Sequence, residues 1–431
     1  MESFKFREFK VFRATCSKGG GSISFSLRTS RSLNPVSWRM ILVSVVIFYS
    51  RNVITPVLTV YFKDALNLSY SQVGYLYSLY LLIMFATDVF TGGIADKYGR
   101  RKILTLGMFL YGLSMALIGA SHRFLSCALA YGLAALGSSL LSGTLQAWYF
   151  TEIKVQNLGR EEAKKAYGLL RSINSANSLL IGIITATIVA FVGMRSVFYA
   201  AAILNFFGAF LAILLLNENW GTREKGVLAI VREGVSLVLR SPILRYLFIA
   251  DMLFTLPHLH FLYVWQLYFA GVLGLKVEAL GPLYSLKSAM GILAGFLILW
   301  IGRRKEKSHA LLFKISISLM LLSYLLFAGV RTKITGVLAL ALYSLGEAVY
   351  FTGYTLLINE IVPNEYRSTI ISTRMSISAS VGAVFYALIG RLVNFSGLTG
   401  SFALMIPVFV LLGLVYVRVF GMLKSRVFSH L

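Results

Sequence analysis

A few ionisable side chains lie inside long apolar stretches of the sequence, and they are the first candidates for chemistry. Arg51, beside Asn52, and Glu347 each stand near the middle of such a stretch, and another stretch holds Asp251 and His258. A charge at the centre of a bilayer costs about 2.5–3.5 kcal/mol on insertion scales, so a charge retained there usually serves binding or proton transfer. These residues therefore predict a polar site inside an apolar body.

Patterns typical of enzymes and nucleotide-driven pumps are absent from the sequence. There is no G-x-x-x-x-G-K-[ST] loop, no H-E-x-x-H motif and no Ser, His and Asp arrangement. His258 and His260 are two residues apart, so on a helix they face different directions and cannot share a metal ion. Cys16 and Cys127 are predicted to lie on opposite sides of the membrane and cannot pair. We expect no enzymatic activity, no cofactor and no bound metal.

The elements that position the ionisable residues are predicted to be membrane-spanning helices. The chain of 431 residues is 57% hydrophobic and 13% charged, whereas soluble proteins are about 25% charged. Its apolar runs approach the roughly 20 residues that a helix needs to cross a bilayer, and they are too long for barrel strands. We predict an all-α integral membrane protein with twelve transmembrane helices. They are expected at 40–62, 70–91, 103–120, 124–149, 165–192, 195–216, 244–271, 279–301, 309–330, 334–358, 368–393 and 399–420.

Short segments of the first half recur in the second half, in the same order and at a nearly constant spacing. The matching pairs are 74–79 with 281–286, 99–102 with 302–305, Glu152 with Glu360, and 171–173 with 374–376. One short coincidence means little, but four in the same order indicate a duplicated six-helix unit. An even helix number keeps both halves in the same orientation, around a pseudo-two-fold axis along the membrane normal.

The duplication predicts two six-helix bundles, at 39–216 and 244–421, joined by a linker at 217–243. Part of the linker has a pattern that suits a helix lying on the inner membrane face, or an ordinary solvated helix. Residues 1–38 are rich in Ser, Arg and Lys, and we expect a disordered tail. The alternatives are a targeting segment or a start codon placed too early. Residues 422–431 form a second tail.

The distribution of Lys and Arg predicts the orientation of the chain. The loops that follow even-numbered helices carry most of the basic loop residues, and such loops lie in the cytoplasm. Both termini are then cytoplasmic, in a multi-pass protein of the cell membrane. The formal net charge of +24 follows from this pattern, and we expect no binding of nucleic acid.

The segment 92–102 reads Gly-Gly-Ile-Ala-Asp-Lys-Tyr-Gly-Arg-Arg-Lys and resembles the helix 2–3 loop signature of the major facilitator superfamily. Ile94 and Lys97 stand where the signature has Leu and Arg. Residues 359–367 resemble the helix 10–11 turn of the same superfamily. The resemblance covers roughly residues 40–420 and implies two pseudo-symmetric six-helix bundles.

Helix 4 both matches and departs from superfamily patterns. Residues 142–148 are similar to a helix 4 pattern in which an acid often stands in place of Gln146. Members that exchange drugs for protons often carry a basic residue in helix 4 and a Gly-Pro pair in helix 5. Here residues 131–143 contain no Arg, and helix 5 has Gly182 without a Pro. These departures weigh against a drug–proton antiporter without excluding one.

In this superfamily helices 1, 4, 7 and 10 line the central path, so the resemblance implies a cavity there. The candidates for binding a substrate or a proton are Arg51, Asn52, Gln146, Asp251, His258, Glu347, Tyr350 and Tyr354. We expect Arg51 and Glu347 to pair, because they have similar depth and pairing offsets much of the desolvation cost. The alternative is a purely structural ion pair. Abundant aromatic residues suit an amphiphilic solute, or simply face lipid.

The loop after helix 2 is interpreted as part of a conformational gate. The resemblance implies that Asp96 sits at the N-terminal end of helix 11, where free backbone N–H groups favour an anion, and Arg100 is expected to reach Glu152. The alternative is that these charges only anchor the topology. The gate candidates are Gly92, Asp96, Gly99, Arg100, Arg101 and Glu152, with Asp88, Arg171 and Arg374 as an inner network.

The function expected from these features is secondary active transport of a small solute by alternating access. The first hypothesis is proton-coupled efflux of an amphiphilic compound. The alternatives are an uptake carrier for a metabolite such as a sugar or carboxylate, in which Arg51 would hold an anionic group, and a transporter-like sensor that does not transport. The expected partners are a small molecule, a proton and the lipid bilayer, and the protein is expected to be a monomer.

Overall fold

The computed structural model describes residues 14–15, 24–25, 33–221, 235–302, 308–329, 331–362 and 366–428. Its helices are α1 (Pro35–Asn52), α2 (Leu58–Val60), α3 (Tyr70–Tyr98), α4 (Arg100–Ala120), α5 (Phe124–Leu141), α6 (Thr144–Val155), α7 (Arg160–Val192), α8 (Met194–Leu215), α9 (Pro242–Leu267), α10 (Leu280–Gly302), α11 (Ser308–Gly329), α12 (Lys333–Ile361) and α13 (Arg367–Phe428). Two strands, β1 (Ala14–Thr15) and β2 (Ser24–Phe25), pair antiparallel in the N-terminal tail. Most of the predicted tail 1–38 and of the linker helix lies outside the described residues.

Polar caps begin several of these helices. The Asn34 side chain accepts a hydrogen bond from the N–H of Val36, and Pro35 follows in the first turn. Ser69 and Gln72 form a reciprocal capping box at the start of α3. Such caps satisfy backbone N–H groups that have no partner inside the helix. Short polar segments between apolar runs therefore fix where these two membrane crossings start.

Two crossings of the membrane are interrupted, and a third break separates two crossings within α13. The first consists of α1, a turn that contains Pro56, α2 and a π-helical segment at Tyr61–Ala65. A proline has no N–H to donate and ends regular helix geometry. The fourth crossing consists of α5 and α6, which are separated at Gly143 by a φ of 69°. The helix α13 is broken at Gly397, where φ is 72°.

The predicted all-α membrane fold is confirmed. Among the described residues, nine helical segments are long and apolar enough to cross a membrane. The longest, Thr369–Leu423, contains two crossings on either side of Gly397. The segments α1–α2 and α3 supply the crossings predicted as helices 1 and 2. Apart from the breaks near Pro56 and Gly143, the described part of each predicted span is largely helical, although several helices run further, as α3 does to Tyr98.

The two six-helix bundles meet where α3 crosses α13 and where α7 crosses α10. At the first crossing, a Cβ added to Gly74 would lie 2.4 Å from the carbonyl oxygen of Tyr386, and one added to Gly390 would lie 2.3 Å from that of Tyr70. These distances are shorter than any real Cβ contact, so the two backbones touch only because both positions are glycine.

The crossing of α7 and α10 repeats this arrangement. A Cβ on Gly182 would lie 2.2 Å from the carbonyl oxygen of Gly281, and a Cβ on Gly281 would lie 2.1 Å from that of Gly182. Gly74 and Gly281 occupy the same place in the duplicated segments. The pseudo-symmetry seen in the sequence is therefore also present in the contacts between the two bundles. We call this end of the molecule the closed end, and the end with residues 92–102 the gate end.

Candidate functional site

A cavity of about 780 Å³ lies between the two bundles. Most of its wall comes from the first bundle, and the second bundle contributes Leu259, Leu262 and Tyr386. Three of the predicted cavity residues line it, namely Arg51, Asn52 and Gln146. The other five predicted cavity residues do not line it and lie within the second bundle. They are Asp251, His258, Glu347, Tyr350 and Tyr354.

Arg51 lies on the cavity wall in the last turn of α1. Its guanidinium donates a hydrogen bond to Ser138 Oγ at 2.6 Å and lies 5.6 Å from the centre of the Tyr111 ring. Tyr80 also neighbours it. The ion pairs among the described residues do not include Arg51. The positive charge is held by neutral oxygens and an aromatic ring.

Glu347 forms a compact charged cluster inside the second bundle. One carboxylate oxygen lies 2.8 Å from Nδ1 of His258 on α9, and the other lies 3.3 Å from Nζ of Lys287 on α10. Glu347 is only 8% exposed. The rings of Phe254 and Phe351 pack on His258, with centroids 5.4 and 5.2 Å away. Three helices thus supply one carboxylate, one ammonium and one imidazole in an aromatic surrounding.

The predicted pairing of Arg51 with Glu347 is wrong. Glu347 has both of its charged neighbours in its own bundle, and Arg51 is held by Ser138 in the first bundle. Similar depth along a helix does not fix the direction in which a side chain points, and the two side chains point to different partners. Lys287 is the partner of Glu347 that the sequence did not identify.

Asp251 makes a second buried contact in this bundle. Its carboxylate accepts hydrogen bonds from Arg374 at 2.7 Å and from Ser378 at 2.8 Å, and the Arg374 guanidinium lies 4.3 Å from the centre of the Tyr354 ring. Asp251 is 2% exposed. It therefore ties α9 to α13 and is not a cavity residue. Arg374 belongs to this pair, and not to the predicted inner gate network.

Tyr350 and His260 are also packed against other side chains inside the second bundle. Tyr350 stacks on Phe254 with centroids 3.8 Å apart, and its hydroxyl accepts a hydrogen bond from Tyr416. His260 is fully buried, between Tyr324 and Ser401. His258 and His260 do face different directions, as their spacing predicts. His258 alone joins the charged cluster.

The gate segment is held by its own neighbours and by the start of the linker. The Asp96 carboxylate accepts from the Arg100 guanidinium at 2.8 and 3.0 Å. Arg100 also donates to the carbonyl oxygen of Ala147 and to Thr151 Oγ1. Contrary to prediction, Arg100 does not reach Glu152 directly. Asn219 bridges them, since its side chain donates to Glu152 and its carbonyl accepts from the Arg100 N–H.

Residues 217–221 contact the gate segment in a way that the sequence did not reveal. Glu218 accepts from the backbone N–H of Arg101 at 2.9 Å, and the carbonyl of Asn217 accepts from Nε1 of Trp148 at 2.7 Å. Gly99 has a φ of 104°, and a Cβ there would lie 2.5 Å from the Glu218 carboxylate. The only signal in the sequence was a polar Asn-Glu-Asn triplet directly after an apolar span.

Asp88, Arg171 and Arg374 are not brought together in this structure, so the predicted inner network is absent from this conformation. Arg171 is exposed on α7. Asp88 keeps Oδ1 buried without a hydrogen-bond partner among the described residues. Asp96 pairs with Arg100, and its predicted contact with the start of helix 11 is not made here. Gly92 lies within α3.

Hydrogen bonds reinforce the closed end. Tyr263 donates to the carbonyl of Tyr70 at 2.5 Å, and Gln266 donates to the carbonyl of Thr55 at 2.8 Å. Within the described ranges, every hydrogen bond that joins the two bundles lies away from the gate end. The cavity is therefore shut at one end, while the bundles are not tied together at the other.

Comparisons with known proteins agree with this architecture. A family model described as Major Facilitator Superfamily matches residues 40–385. The solved structure of the nucleoside transporter NupG superposes with a TM-score of 0.74 at 12% identity, and the match covers 89% of this chain and 99% of NupG. At that identity the likeness shows the fold alone.

Two curated bacterial proteins are similar in sequence. Quinolone resistance protein NorA of Staphylococcus aureus (strain MSSA476) is 26% identical over 247 residues, which are 56% of each chain. Multidrug resistance protein 2 of Bacillus subtilis (strain 168) is 24% identical over 180 residues, which are 42% of this chain and 43% of that protein. The chain thus spans about half the length of the curated relatives it matches.

Proposed function

Because the chain belongs to the Major Facilitator Superfamily, we propose that it is a secondary active transporter that exports a small amphiphilic compound in exchange for protons. It is a multi-pass membrane transport protein and not an enzyme. Direction, coupling ion and substrate are the parts that we infer from the site.

The observation that carries the proposal is a cavity that is shut at one end and lies between two duplicated bundles. The two bundles can separate as rigid bodies, because the crossings that join them consist of surface contact between helices. These crossings are formed by Gly74 with Gly390 and by Gly182 with Gly281. Rocking around the cavity would then open the closed end and shut the gate end. This is alternating access as it operates in folds built from repeats.

Export is supported by the placement of basic residues and by the relatives. If the basic loops lie in the cytoplasm, the cavity is open to the cytoplasm in this conformation and can receive a compound there. The two curated relatives are resistance proteins by name, which favours the same direction for this chain. Both termini are then cytoplasmic, and the membrane is the cell membrane.

The proton is assigned to the cluster of Glu347, His258 and Lys287. Glu347 and Lys287 neutralise each other, while the imidazole of His258 beside the carboxylate can accept one proton. The extra charge is costly in a buried site, so proton uptake favours a rearrangement of the three helices that hold the cluster. Lys287 and Gly281 lie on the same helix, α10, which links the cluster to the closed end.

The test compares two carboxylates on α12. Glu347→Gln removes the buried carboxylate, whereas Glu360→Gln removes an exposed one that also pairs with a histidine, His309, at 2.7 Å. Transport of aromatic dyes would be followed in proteoliposomes under an imposed pH gradient. We expect Glu347→Gln to lose pH-driven accumulation and keep exchange without a gradient, and Glu360→Gln to keep both. Normal pH-driven accumulation in Glu347→Gln would remove the cluster from the mechanism.

The same assay separates the alternatives. An uptake carrier would accumulate solute in the direction of proton entry, and export would run against it. A transporter-like sensor would bind solute without any flux in the wild-type protein.

A further inference from the structure

Among the residues that the structure describes, the cavity wall contains one permanent charge and no carboxylate. Among the residues that line it, Arg51 is the only Lys, Arg, Asp or Glu, and six of the others are tyrosines. They are Tyr77, Tyr80, Tyr111, Tyr131, Tyr167 and Tyr386. A cavity for a cation would offer a carboxylate, and a neutral compound would not offset the cost of the buried arginine charge as an anion does. We propose that the substrate is an aromatic anion, whose acidic group binds Arg51. This inference rests on the proposed transport function.

The neutral surroundings of Arg51 allow its guanidinium to bind an anion. A guanidinium carries five N–H donors, and the oxygens beside this one are hydroxyls of Ser138, Tyr80 and Tyr111, not carboxylates. Asp88 lies within electrostatic range of Arg51, but it forms no ion pair with it and does not line the cavity. The charge in the cavity is therefore not neutralised by a direct contact in this conformation.

The rest of the wall suits an aromatic body with polar substituents. The rings of Tyr80 and Tyr131 lie 4.9 Å apart, and those of Tyr77 and Tyr386 are stacked at 5.0 Å. On α7, Asn174 Oδ1 is buried without a hydrogen-bond partner within the described ranges, and Asn174 lines the cavity together with Tyr167 and Gln146. A ligand that carries a polar donor group at some distance from its acid would satisfy this oxygen.

Charge recognition can be measured without transport. The probes are 2-naphthoate, the neutral 2-naphthalenemethanol and the cationic 2-naphthylmethylammonium, which share one aromatic body. Their dissociation constants would be measured for the purified full-length protein in nanodiscs, without a pH gradient and against empty nanodiscs. The variants are Arg51→Gln and Arg51→Lys, with Arg123→Gln as a matched control for loss of an arginine, since Arg123 is exposed outside the cavity.

We expect the wild-type protein and Arg123→Gln to bind naphthoate more tightly than the other two probes. Arg51→Gln should weaken naphthoate roughly ten- to hundredfold, as loss of a charge-assisted hydrogen bond does, and leave the alcohol unchanged. Arg51→Lys should lose less, which shows that the charge itself is recognised even if Arg51→Gln folds poorly.

Three results would overturn the inference. They are tighter wild-type binding of the ammonium or the alcohol, equal naphthoate affinity in wild type and Arg51→Gln, and no naphthoate binding up to millimolar concentration. Failure of the transport proposal would look different. Naphthoate would then bind through Arg51 in nanodiscs, while no probe would cross a proteoliposome membrane under any gradient.

Discussion

The two bundles can be compared at two places, the crossings that shut the closed end and the charges inside. At the crossings they match, because the second helix of each bundle packs a glycine, Gly74 or Gly281, on the fifth helix of the other, at Gly390 or Gly182. Inside they differ. The first bundle presents Arg51 to the cavity with neutral partners, and the second buries a charged cluster behind the wall.

This difference distinguishes the residues that join the two bundles from the residues that carry charge. In the proposed rocking motion, duplicated residues form the contacts that must break and reform, so both bundles need them. In the proposed function, residues without a duplicate, such as Arg51 and Glu347, would supply the charges for a substrate and a proton, and one copy of each would be sufficient. The comparison predicts that substitutions at matching glycines of the two crossings have large and similar effects. Substitutions of the charged residues should each affect a different property.

The largest effect is expected at the glycine crossings. Gly281→Ala places a methyl group 2.1 Å from a backbone oxygen, and overpacking of this kind costs about 1–3 kcal/mol. Only the closed-end contact pays this cost, so the equilibrium should shift about 5- to 150-fold towards a conformation that is open at that end. Accessibility of a cysteine introduced near the closed end would report the shift. Gly295→Ala, on the same helix in open space, is the control.

The duplicated glycine in the first bundle provides a second test of the same contact. Gly74→Ala, at the duplicated position, should shift the accessibility of the same cysteine by a similar amount. A shift with Gly281→Ala and none with Gly74→Ala would show that the closed end is not used symmetrically.

A smaller effect is expected at the gate. Asp96→Asn removes the carboxylate that holds the Arg100 guanidinium, and we propose, from the family resemblance, that this residue contacts helix 11 when the gate end shuts. Transport should slow markedly while equilibrium binding in the cavity stays near the wild-type value. Asp64→Asn, an exposed carboxylate near the closed end, should change neither. A wild-type transport rate in Asp96→Asn would show that the gate interpretation of Asp96 is wrong.

The smallest effect on the transport rate is expected in the segment after α8. Asn219→Ala removes the side-chain bridge to Glu152 but keeps the backbone contact with Arg100. A buried carboxylate without its donor costs about 1–3 kcal/mol, so the melting temperature should fall by a few degrees and the transport rate should drop less than in Asp96→Asn. A transport defect larger than that of Asp96→Asn would make the linker the main element of the gate.

Much of the fold was predictable from the sequence. Runs of apolar residues placed the crossings, and the duplicated segments at Gly74 and Gly281 pointed to the pseudo-symmetry that the crossings use. The partner of Glu347 was not predictable, because sequence spacing gives depth in the membrane but not rotation about a helix axis. Lys287, a lone cation in an apolar helix, was nevertheless a signal that a buried carboxylate had to lie nearby.

The role of residues 217–221 was hidden for a different reason. A short polar segment after an apolar span has the composition of any linker, and only its contacts with Gly99, Arg101 and Trp148 distinguish it. Contacts between segments far apart in sequence are set by how the bundle packs, and a single sequence does not contain them.

The central claim, that two bundles rock around a fixed cavity, is tested most directly by two distances measured in one protein. Spin labels at Asn67 and Lys276 would report the closed end, and labels at Lys97 and Asn359 would report the gate end, all on exposed residues. Between low and high pH in nanodiscs, we expect one distance to lengthen as the other shortens, and Glu347→Gln to abolish the pH response. Distances that stay fixed, or change in the same direction while transport continues, would contradict the account.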